Sequence, residues 1–104
     1  MEYKLIYTDH FYEYLREVML YIANKYSHEI AEEKINKIGQ DINLLKQYPY
    51  LGRIPKFRED RRRGYRALVL EKNIVFYSVD EEDKTITLHI ITDYRTDYIS
   101  LFEE

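Results

Sequence analysis

The residues best placed to do chemistry are arginines. Between Pro49 and Arg66 the chain reads PYLGRIPKFREDRRRGYR. Arg53, Lys56, Arg58, Arg61, Arg62, Arg63 and Arg66 stand there against Glu59 and Asp60 alone, a local balance of +5 in a chain whose formal charge is −3. The remainder therefore carries −8, the difference between the two. This asymmetry predicts a dedicated anion-facing surface, with nucleic acid, phosphate or an acidic protein as its partner. A guanidinium is suited to that task because its planar fork pairs two phosphate oxygens and stays charged. Lys56, Arg58, Arg61, Arg62 and Arg63 are candidates to contact nucleic-acid phosphates. As a run on one loop they fit an acidic protein segment, or a solvated charge run, equally well. His89 has the intrinsic pKa for acid–base work near neutrality; a solvated or core-edge histidine is the plainer alternative.

Composition narrows the setting. The 104 residues are read as one domain with a single modest core. A hydrophobic fraction of 45% with 34% charged residues places the chain among globular proteins. No apolar run approaches the ~18 residues of a membrane span, and MEYKLIYTDH has neither the basic nor the apolar region of a signal peptide, so a cytoplasmic location is expected. The absence of cysteine excludes a disulfide framework, a thiolate zinc site and a cysteine nucleophile. No P-loop, dinucleotide fingerprint or nucleophile elbow occurs, and the helical carboxylates lack metal-ligand spacing, so no metal or cofactor is expected. Twelve tyrosines and no tryptophan supply aromatic rings that can fill a core while keeping one end polar, or stack on a base.

The elements that must position these residues follow from periodicity. Glu2–Tyr7 reads as a strand, and Thr8 or Asp9 offers a cap for a helix whose stripe is Phe11, Leu15, Val18, Met19 and Ile22. Ser27 caps a second helix with acids in its first turns and the seam Ala31, Ile35, Ile38, Ile42 and Leu45. A break of one or two residues makes the pair an αα-hairpin. Pro49, Gly52 and Pro55 punctuate a loop, and Gly64–Glu71, Asn73–Asp80 and Thr85–Thr92 read as three strands. The expected fold is α+β, ordered β-α-α-β-β-β, with an antiparallel sheet packed on the hairpin and the first strand added beside the later ones. Alternation puts Ile86, Leu88 and Ile90 on the helix-bearing face, with His89, Ile91 and in turn Arg95 on the other. That open face, joined by Tyr77 and approached by the arginine loop, is where function is expected.

This order, with LLKQYPYLGR upstream of GYRALVLEKNIVFYSVDEEDKTITLHIITDYRTDY, resembles the RelE/ParE superfamily of bacterial toxin–antitoxin toxins. The resemblance spans essentially the whole chain. It implies a small protein that arrests growth and is held inactive by a co-encoded antitoxin. RelE-like members cut mRNA in the ribosomal A site without a metal, whereas ParE-like members block DNA gyrase. Carried over from the cutting members, Arg66 matches a basic position on the second strand, Arg95 matches the arginine after the last, and His89 and Tyr98 are the proton-transfer candidates. Asn73 or Lys72 stands at the third-strand arginine, and Leu68 at a second basic place. Cleavage by 2′-hydroxyl attack needs a base, an acid and a cation for the charge developing on phosphate, and Arg66 and Arg95 are the candidates for the last. Pairing with a surface carboxylate such as Asp93 or Asp97 is their alternative. The expected function is a toxin acting on mRNA at the ribosome, narrowly ahead of gyrase inhibition, with a non-catalytic binding module as the third class.

Overall fold

A computed structural model of the chain describes residues 2–54 and 64–93. Strand β1 (Lys4–Tyr7) leads into helix α1 (Asp9–Lys25), which links through two residues to α2 (His28–Asn43) and a single 3-10 turn, Leu44–Lys46. Strands β2 (Arg66–Val69), β3 (Asn73–Asp80) and β4 (Thr85–Asp93) follow. Both helix starts form as the sequence predicts. The Thr8 hydroxyl accepts from the Phe11 amide at 3.0 Å and the Ser27 hydroxyl from the Ile30 amide at 3.1 Å, each satisfying a donor that the helix leaves open. The Thr8 hydroxyl also donates to the Leu88 carbonyl, which fastens the start of α1 to β4.

The sheet order is β1-β4-β3-β2. Strands β2, β3 and β4 are antiparallel neighbours, and β1 joins the edge parallel to β4 with Leu5 opposite Ile86 and Tyr7 opposite Leu88. A parallel neighbour needs a long crossover, and the chain between β1 and β4, helical hairpin included, provides it. The sheet is thus mixed, with the first strand beside the last. Among the described residues no helix is long and apolar enough to cross a membrane.

The core lies between the hairpin and one sheet face. Phe11, Ile38, Ile42 and Leu45 pack there against Leu68, Val75, Tyr77, Ile86, Leu88 and Ile91, and Ile35, Leu15 and Val18 flank them half-buried. Two expectations are corrected. Ile90 is not in this core but in a second cluster with Ala67 and Phe76, and its neighbour Ile91 takes the core position. The cause is a bulge. Phe76 pairs with Ile90 but Tyr77 with Leu88, so His89 is an extra residue on β4, and the alternation of side chains inverts beyond it. Tyr77, expected on the open face, is fully buried in the main core on the parity of Val75.

Leu88 is fully buried and lies opposite both Tyr7 and Tyr77. Leu88→Ala is expected to cost about 2–5 kcal/mol of stability. Denaturant unfolding checks this; an unchanged midpoint would refute the core assignment.

Candidate functional site

The loop that follows the 3-10 turn is held from beneath by side chains of the sheet. The Tyr48 amide donates to the Leu44 carbonyl at 3.0 Å and the Leu51 amide to the Tyr48 carbonyl at 3.0 Å, closing a tight turn. Arg53 then exchanges two backbone hydrogen bonds with Ala67 at 2.9 and 2.8 Å, a one-residue extension of the sheet beyond β2. Between these points the Tyr77 hydroxyl accepts from the Gly52 amide at 2.9 Å and donates to the Pro49 carbonyl at 2.8 Å. Burial pushes the Tyr77 phenol above its ordinary pKa, so it keeps the proton that the second bond needs. Position 52 must be glycine for want of space. A Cβ there would lie 2.7 Å from the Tyr77 hydroxyl and 2.8 Å from the Ala67 carbonyl oxygen.

Arg66 completes this arrangement. Its Nε and Nη2 donate to the Gly52 carbonyl at 3.0 and 2.7 Å, Nη2 reaches the Tyr50 carbonyl at 3.4 Å, and the guanidinium lies 5.1 Å from the centre of the Tyr50 ring. A second set of contacts meets the loop from the β3–β4 turn. Tyr3 donates to the Glu81 carboxylate, and Tyr50 does so too. These bonds, Tyr3 first, hold the Glu81 carboxyl below its ordinary pKa. Lys84, in the left-handed region at φ 54°, places Nζ 3.7 Å from Glu81 and over the Tyr3 ring.

On the opposite sheet face the bulge carries His89. Its Nε2 lies 2.7 Å from the Ser78 hydroxyl, and its ring stacks on Tyr65 with centroids 4.3 Å apart. Half-buried there, the imidazole is held below its ordinary pKa by desolvation and is neutral at pH 7. It can accept or donate a proton beside a hydroxyl. Arg66 pairs with Tyr77 on the helix-bearing face, so the sheet separates the two described candidates. Leu68, at the second basic place, is buried in the core, and Asn73 donates to the Thr92 carbonyl at 3.3 Å. Lys56, Arg58, Arg61, Arg62, Arg63, Arg95 and Tyr98 lie outside the described residues.

Comparison with known proteins places this geometry in a family. The sequence model described as "ParE toxin of type II toxin-antitoxin system, parDE" matches residues 5–96. The chain belongs to the ParE toxin family. Among solved structures, a chain of the chromosomal ParDE toxin–antitoxin system from P. aeruginosa superposes with a TM-score of 0.74 at 20% identity, covering 88% of this chain and 96% of that one. A chain of the toxin–antitoxin complex RelBE2 from Mycobacterium tuberculosis superposes at 0.62 with 14% identity, covering 89% and 99%. At these identities the likeness is one of fold. No curated protein sequence matches significantly. The chain is therefore a ParE-family toxin of the RelE/ParE superfamily, type II.

Within this ParE-family chain, sequence reasoning passed over Tyr50 and Glu81, and it set Tyr77 on the open face instead of beneath the loop. A Pro–Gly loop ahead of a strand pair was the signal available for Gly52; no local signal marks its tyrosine partner 25 positions on.

The lowered His89 pKa gives a pH signature. The unfolded chain binds this proton more readily than the folded one, so the associated stability is fully present above the ordinary value of 6.5 and is lost as pH falls below it. The melting temperature is expected to drop between pH 7.5 and 5.5 by more in the wild type than in His89→Gln, as read by circular dichroism. Parallel curves would show that His89 titrates alike in both states.

Proposed function

We propose that this ParE-family toxin arrests growth by binding its target, that the target is DNA gyrase, and that a co-encoded antitoxin holds it inactive. The observation that carries the reading is the engagement of Arg66. Cleavage of mRNA calls for a guanidinium whose fork is open to a phosphate, and here Nε and Nη2 both face backbone carbonyls of residues 50 and 52. Leu68 turns into the core instead of offering a second cation. The ParE family match over residues 5–96 supports the same choice, since ParE-like members of the superfamily block gyrase. A net charge of −3 weakens long-range attraction to the ribosome. This order reverses the one expected from the sequence, which counted the arginines together with His89 and Tyr98.

Cleavage at the ribosome keeps one observation in its favour, the neutral imidazole of His89 beside Ser78 on the sheet face opposite the main core. Induced expression without antitoxin separates the two. DNA synthesis is expected to stop first in pulse labelling, primer extension to find the message intact, and purified protein to inhibit supercoiling by gyrase. Message cut in the ribosomal A site with supercoiling unimpaired would overturn the gyrase reading and restore Arg66, Arg95, His89 and Tyr98 as the cleavage set.

The antitoxin is expected to cover the outer side of the hairpin, where Tyr12, Met19, Leu20, Tyr21, Tyr26 and Ile30 are exposed. Both solved relatives come from toxin–antitoxin assemblies, which supports a partner of this kind. Co-expressed product of the neighbouring gene should co-elute with the chain in size-exclusion chromatography. Separate elution at micromolar concentration would count against it.

A further inference from the structure

We propose that Tyr77 is a positioning residue, acting with Arg66 to hold residues 48–53 in one conformation through which the toxin engages its protein target. The inference rests on the reading that the chain acts by binding. It starts from an oxygen atom that the core does not need. Phenylalanine would fill the same buried volume, yet position 77 carries a hydroxyl, and that hydroxyl bonds to Gly52 and Pro49 at 2.9 and 2.8 Å. Burying a phenol is costly unless both roles of its oxygen are met, and the loop meets them. Arg66 adds donors to the Gly52 and Tyr50 carbonyls from the same side, and Arg53 is zipped to Ala67.

The loop so fixed turns large apolar side chains outward. Tyr48, Tyr50, Leu51 and Ile54 are 57%, 48%, 51% and 61% exposed within seven residues. Apolar groups left in water on a backbone that cannot relax are costly to keep and cheap to dock, because little ordering remains to be done on binding. Arg53 within the loop, and Arg66 reaching it from β2, add positive charge. The surface that fits it is a protein face with an apolar centre and carboxylates at its rim.

Tyr77→Phe tests this in the full chain, with arrest compared at equal soluble protein. Exchange of the Gly52 amide is expected to accelerate at least about tenfold, while the amides of Val75 and Leu88 keep their protection. Half-maximal growth arrest should then require at least about tenfold more toxin, with affinity for the antitoxin changed less than about threefold. Arg66→Lys, which keeps the charge and loses the planar fork, should behave alike. Unchanged Gly52 exchange in Tyr77→Phe would overturn the proposal, as would arrest at the wild-type dose despite faster exchange. Equal weakening toward antitoxin and target would reduce Tyr77 to a merely structural role. A wild-type chain that cuts mRNA with gyrase supercoiling unimpaired would refute the binding reading and overturn the proposal with it, an outcome seen in the wild type and so distinct from a failure of the Tyr77→Phe arms.

Discussion

One extra residue in β4 governs how this sheet is filled. Up to Leu88 the strand alternates so that Ile86 and Leu88 meet the helices; beyond His89 the alternation is inverted, and Ile91 takes over that role while Ile90 turns to the other side. Without the bulge, Ile91 would leave the main core and Ile90 would lose Phe76 and Ala67 as neighbours. The inversion lets one strand supply apolar side chains to two clusters, which a chain of this size needs because its fraction of buried surface is modest. The bulged residue itself has no cross-strand partner in the ladder, and its ring is accommodated instead by Ser78 and Tyr65.

The same strand pairing fixes the loop that crosses β2. Because Tyr77 falls on the core parity of β3, its ring is buried while its hydroxyl emerges where the loop after α2 crosses β2. Arg66, its partner across the ladder, reaches two other carbonyls of the same loop, those of Gly52 and Tyr50. A residue that resembles a phosphate ligand in sequence thus satisfies a backbone acceptor in the fold. These two uses compete for the same N–H groups, and in this structure Nε and Nη2 of Arg66 donate to the loop.

Much of this fold was legible in the chain because the signals were local. Ser27 three residues before the Ile30 amide, and the seam Ala31–Ile35–Ile38–Ile42–Leu45, act within one or two helical turns and could be read directly. The bulge could not be read. TITLHIIT is apolar at both Ile90 and Ile91, so the pattern is consistent with either register, and β3 selects between them. The site was less legible than the fold. The fastening of Arg66 to Gly52 spans 14 positions and that of Tyr77 to Pro49 spans 28, distances over which periodicity carries no information. Of the nine residues singled out for chemistry, Arg66 and His89 lie among the described residues, and the strand pairing sets them on opposite faces.

The parallel pairing of β1 with β4 also bears on how the chain is made. Lys4–Tyr7 is made well before the strand it pairs with, Thr85–Leu88 of β4. At typical elongation rates of about 5–20 residues per second, the roughly 80 intervening residues take about 4–16 seconds to appear. Throughout that interval the helical hairpin can form from local contacts, whereas the sheet edge, and with it the packing of Leu5 and Tyr7, must wait. Tyr77 is synthesised late in the same interval, so the loop after α2 also emerges long before the hydroxyl that fixes it. A toxin assembled in this order reaches its working shape only once β4 has been translated.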